Sequence, residues 1–191
     1  MGLAFHNYAS AHGTLPPAAV CGPDGHPLLS WRVLLLPYIE QQGLYDEFKL
    51  DEPWDSEHNL RLLDRMPKTY EAPWKKYVDV PPHQTVLHVF VGPGAAFEWG
   101  RGLRLKDDFP DGTSTTLLYV EAGPPVPWTK PEEIPFETGK PIRLRGLFRD
   151  GYRAGTVDGA GYKIIRHDAD ADLLRASITR NGGESVPPVW H

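Results

Sequence analysis

The chain has 191 residues, 40% apolar and 11% aromatic, with 20 basic against 25 acidic side chains. That is enough apolar material for a packed core in a single domain over 1–191, which excludes intrinsic disorder. The net charge of −5, with no run or stripe of Lys and Arg, excludes the electrostatic footprint of a nucleic-acid or anionic-membrane binder.

The first twelve residues carry Leu3, Phe5, Tyr8 and Ala9 at near-helical spacing, stopped by Gly13 and kept from restarting by Pro16-Pro17. This reads as 1–12 being the end of a truncated N-terminal helix. Pro23-Asp24-Gly25 supplies a turn. Ser30 then caps a helix that sets Trp31, Leu34, Leu35 and Tyr38 on one face until Pro37 ends or kinks it. A short helix follows over Gln42 to Phe48. A third, capped by Asp55 or Ser56, is expected to bury Leu60, Leu63 and Met66 and to close at Pro67.

Beyond this point the pattern turns to strands. Thr85 to Val91 is β-branched and aromatic and ends at Gly92-Pro93-Gly94. Thr115 to Val120 is a second strand. Tyr152 to Val157 and Tyr162 to Ile165 flank Asp158-Gly159, a strong hairpin signal. Asp170 or Asp172 caps a last helix with Leu173, Leu174 and Ile178, stopped by Asn181-Gly182-Gly183. Helices first, then an antiparallel sheet, then a short C-terminal helix make an α+β fold. The longest aliphatic run, Val33 to Leu36, is far too short to span a bilayer, so the chain contains no membrane segment.

Several segments in order are similar to one bacterial family. They are Gly2-Leu3-Ala4-Phe5-His6-Asn7-Tyr8 with His12-Gly13 and Pro16-Pro17; Ser30-Trp31-Arg32-Val33-Leu34-Leu35-Leu36-Pro37-Tyr38-Ile39-Glu40-Gln41; and Asp51-Glu52-Pro53-Trp54-Asp55-Ser56. Val91-Gly92-Pro93-Gly94, Asp111-Gly112-Thr113-Ser114, Val126-Pro127-Trp128-Thr129-Lys130-Pro131-Glu132 and Thr179-Arg180-Asn181-Gly182-Gly183-Glu184 continue the series. Together they resemble the DUF1559 family, also labelled solute-binding-protein-like. The resemblance implies the head of a pilin-like or pseudopilin-like protein: N-terminal helices packed on an antiparallel sheet, no established enzymatic activity, and an extracytoplasmic place. No signal peptide or anchor precedes the head in this sequence, which leaves a cytoplasmic location open. Two departures stand out. The family's hydrophobic helix is missing, and Phe148 stands where the family has a His ten residues before Asp158-Gly159. A processing role attached to that His does not carry over.

Few residues are spaced for chemistry. Asp168, Asp170 and Asp172 alternate as Ca²⁺ ligands can, but no Gly or Glu completes a calcium loop, and acidic residues at a helix start also act as caps. The eight histidines show no H-x-x-x-H or H-E-x-x-H spacing, and the lone Cys21 sits in a turn with no nucleophile signature. Gly92 to Gly102 lacks the Gly-Lys-Ser/Thr of a phosphate loop. Glu132-Glu133 are sequence neighbours and make a poor acid–base pair. No catalytic residue, cofactor site or firm metal site emerges. Trp54, Trp99 and Trp128 lie in Pro/Gly-rich loops, either as plugs on the core or as platforms for a carbohydrate or protein partner. The leading expectation is a non-enzymatic module engaged by protein partners or self-assembly; the alternative is a carbohydrate-binding module using those tryptophans.

Overall fold

A computed structural model describes residues 1–72, 79–142, 144, 151–159, 162–166 and 171–184. Helix α1 (Gly2–His12) buries Ala4, Phe5, Tyr8 and Ala9. Gly13 ends it at φ 77°, its N–H donating to Ala9 O at 2.8 Å. Leu3, expected on the apolar face, is 74% exposed instead. The turn at Asp24-Gly25 joins two strands, β1 (Ala19–Cys21) and β2 (Pro27–Ser30). The sequence signals only the turn, because strands this short do not display a period of two.

Ser30 caps α2 (Trp31–Leu34), its Oγ accepting the Arg32 N–H at 3.3 Å. The helix lasts a single turn before a 3₁₀ segment over Leu36–Ile39 that contains Pro37. Trp31, Arg32 and Val33 are therefore all buried, rather than one stripe of a longer helix. α3 (Gln42–Tyr45) follows, then α4 (Glu57–Leu60), capped by Ser56 Oγ on the Asn59 N–H at 3.1 Å. Here the expected buried face is wrong by one residue: Leu60 is 45% exposed and Asn59 fully buried. The reason is polar. The Asn59 amide donates to Lys49, Glu52 and Pro53 carbonyls at 2.9–3.1 Å and accepts the Lys49 N–H, so it is drawn inward to tie down that loop.

The strands are β3 (Gln84–His88), β4 (Phe90–Val91), β5 (Leu117–Pro127), β6 (Ile134–Pro135), β7 (Tyr152–Thr156) and β8 (Tyr162–Ile165). β3-β5-β7-β8 form an antiparallel sheet in that order; β4 and β6 pair in parallel beside it. The run expected as one strand, Thr85 to Val91, breaks at Val89, whose N–H donates to the Glu133 carboxylate at 2.9 Å instead of to a strand. The second expected strand runs on past Val120 to Pro127. The breaker residues Gly123-Pro124-Pro125 are absorbed by a register shift against β3, where Leu87 faces Glu121 and Thr85 faces Val126. The β7–β8 hairpin turns at Asp158-Gly159 as expected, with Gly159 at φ 70°.

Apolar clusters form on both sides of the sheet. One gathers Phe5, Trp31, Leu87, Phe97, Leu118, Trp128 and Val157 from α1, α2, the sheet and its loops. The other gathers Phe90, Val120, Ala122, Phe136 and Ala154 under Leu174 and Ile178 of α5 (Ala171–Ile178). The architecture is thus α+β, with α1 and the short helices on one face and the C-terminal helix on the other. Among the described residues no helix is long and apolar enough to cross a membrane.

Candidate functional site

The most concentrated polar constellation joins α2 to the loop before β6, and neither partner stood out in the sequence. Arg32 and Glu133 are both fully buried and meet at 2.8 Å. Glu133 Oε1 also accepts the Trp31 indole N–H at 3.0 Å, and Oε2 accepts the Val89 N–H at 2.9 Å. The remaining guanidinium donors reach Ser30 Oγ at 2.7 Å and Leu87 O at 3.0 Å, while Tyr70 Oη donates to Arg32 O at 2.7 Å. A planar fork of five donors suits such a cage, and a lysine would leave several acceptors unmet. His88, 1% exposed, completes it. Its Nε2 donates to Pro124 O at 3.0 Å and its Nδ1 lies 3.5 Å from Glu133 Oε2. Closed to solvent on every side, this cluster fastens α2, β3, β4 and β6 together. It offers no atom to a substrate.

The three tryptophans singled out in the sequence are not brought together. Trp128 is fully buried, stacked on Tyr70 at 5.8 Å and edge-on to Phe48, its N–H donating to Leu63 O at 2.9 Å. It is packed as a core plug with no exposed face, unlike the ligand platform that its loop position suggests. Trp54 is half-buried beneath the Lys130 ammonium, 5.6 Å from the ring centre. Trp99 alone among them is well exposed, at 45%. It stands at the tip of a tight turn in which Glu98 and Arg101 bridge and Gly100 takes φ 63°. With Val91, Gly92, Pro93 and Glu98 it lines an open cleft of about 380 Å³. Gly92 serves packing there, since a Cβ would fall 2.0 Å from Phe136 O.

The other expected residues disperse. Asp172 lies in the first turn of α5, while Asp168, Asp170 and Phe148 fall outside the described residues. Among the described residues no three His, Cys, Asp or Glu side chains converge as metal ligands. His6 bonds Val157 O at 2.9 Å, and His12 stacks on Tyr8 and meets Tyr38 Oη at 2.9 Å. Burial, with the Asp24 charge adding to it, pushes the Cys21 thiol up and away from the reactive thiolate. Burial also raises the Tyr70 phenol, against the pull of Arg32, and raises the Glu121 carboxyl, against the pull of Arg153.

A comparison with protein families matches residues 1–96 to one described as protein of unknown function (DUF1559). The matched stretch runs from α1 through β4 and includes Arg32. No curated protein and no solved structure matches the chain.

Proposed function

Since the chain belongs to the DUF1559 family, whose model spans 96 of its 191 residues, we propose that it is a non-enzymatic interaction domain built like a pilin or pseudopilin head and displayed outside the cytoplasm. One observation carries the reading. Helix α1 is seated on the core through Phe5, which meets Trp31 of α2 at 5.0 Å and Phe97 in the loop after β4 at 5.7 Å, while Leu3 on the same helix is left 74% exposed. A helix seated by one side on the core, with an apolar residue outward near its start, leaves that residue to a neighbouring protein or a second head. Met1, Tyr38, Ile39 and Thr69 line the cleft around Leu3 and enlarge that surface. The partners are other proteins or further copies of the head. The reading assigns the domain no cofactor.

The test is made in a bacterium that carries the gene. A photo-crosslinking amino acid at position 3 of the full gene product should give adducts with itself or with a pilin-type protein in the sheared surface fraction. Retention in the cytoplasm without such adducts defeats the reading.

A further inference from the structure

We infer that the cleft beside Trp99 is a saccharide-binding site. Large aromatic rings are costly to leave in water, and this fold buries Trp31 and Trp128 completely while holding Trp99 out. The turn that carries the ring is also anchored on both sides of it. Glu98 Oε1 is gripped by Arg180 at 2.8 Å, Glu98 O accepts the Ala18 N–H at 3.0 Å, and Gly100 rests against Cys21, where a Cβ would meet Sγ at 3.3 Å. A ring carried on a turn anchored in this way has less backbone freedom to lose when a ligand lands on it.

The chemistry beside the ring selects the ligand. Val91, Gly92 and Pro93 form an apolar wall. Beside it Glu98 Oε2 accepts one long, 3.4 Å bond from Arg101, which is 60% exposed, so that a ligand hydroxyl can compete for the carboxylate oxygen and for the remaining guanidinium donors. An apolar face bordered by both an acceptor and donors matches a pyranose ring, which has one C–H face and a rim of hydroxyls that both donate and accept. The carboxylate disfavours phosphates and other anions, and its charge disfavours a lipid chain. A proline-rich peptide is gripped in a slot between aromatic rings, and here a single ring lines the wall. The cleft, at about 380 Å³, has room for one sugar ring and is open for a chain to continue past it. This inference does not rest on the pilin-like reading, and the two fail separately.

Isothermal titration of the 191-residue chain with cellohexaose, chitohexaose, xylohexaose and maltohexaose tests it. At least one should bind, Trp99→Ala should weaken that binding roughly tenfold or more, and Trp99→Phe should keep it within roughly threefold. Trp54→Ala should bind as the parent does. Trp99→Ala removes only a surface ring, and an unchanged near-ultraviolet circular dichroism spectrum of its core aromatics confirms that it folds. No heat with any of the four sugars overturns the inference, as does equal binding by Trp99→Ala. A Trp99-dependent affinity for a polyproline peptide that exceeds the affinity for every sugar also overturns it.

Discussion

Two arginine–glutamate pairs, each 2.8 Å long, hold distant parts of this chain together and yet do different work. Arg32–Glu133 spans 101 residues and Arg180–Glu98 spans 82. The first is sealed, with both side chains at 0% exposure and both carboxylate oxygens surrounded by N–H donors. The second is 11% and 25% exposed, and only one of its carboxylate oxygens is taken by the buried arginine. Contact length does not separate them; the surroundings do. In a dry site every lone pair must find a donor, because an unmet charge there costs several kcal/mol, so the whole of Glu133 is committed to the fold. At a half-wet site the second oxygen needs no buried donor: Glu98 anchors the Trp99 turn through Oε1, while Oε2 keeps only a long, 3.4 Å contact with the exposed Arg101 that water or a ligand can replace.

The sharpest way to break this comparison is to remove the arginine from each pair. Arg32→Ala strands Glu133 and Leu87 O in the core and should cost about 3–5 kcal/mol. For a chain of this size that is a fall in Tm of roughly 10 °C, readable by calorimetry. Should that variant fail to fold, the double replacement Arg32→Met/Glu133→Leu removes both charges and should recover most of the loss, since no uncompensated charge is left. A double variant no better than the single one would show that the cage matters for its shape and not for its charge balance. Arg180→Ala should cost less, about 1–3 kcal/mol, through the lost bonds to Ala95 O and Glu98 in a setting that water can reach. Equal losses for the two arginines would erase the distinction between sealed and half-open pairs.

How far the sequence reveals these features depends on how local each one is. Gly13 after an apolar helix, Ser30 as a cap, a cap at Asp55 or Ser56 that the structure assigns to Ser56, and the Asp158-Gly159 hairpin are all set by neighbouring residues and legible in the sequence. The α+β class follows from the order of such segments. Long-range pairing is what escaped. Arg32 looks like the polar side of an amphipathic helix, and only the early end of α2 turns it inward, where its partner waits 101 residues on. Glu133 stands out only as a neighbour of Glu132, since adjacency says nothing of what a carboxylate meets across the fold. The break at Val89 has the same origin, a backbone N–H claimed by a side chain from another segment. The tryptophans divide likewise: composition marks Trp54, Trp99 and Trp128 as equals, and only packing separates the plug from the platform.

A third carboxylate lies between the two environments and gives the smallest effect of the three. Glu121 on β5 faces Leu87 on β3 and Arg153 on β7, and its buried Oε2 has no hydrogen-bond partner among the described residues. Burial raises its pKa in the folded protein, and Arg153 only partly offsets this. A carboxyl whose folded pKa lies above the unfolded value, about 4.3 for Glu, binds its proton more tightly in the native state. Its contribution is therefore fully present below pH about 4 and is lost as pH rises through the folded value. Glu121→Gln keeps the neutral, protonated-like form at every pH. It should match the parent in urea unfolding at pH 4 and exceed it at pH 8, by less than Arg180→Ala loses. The same stability difference at both pH values would mean that water reaches Glu121 Oε2 despite its burial.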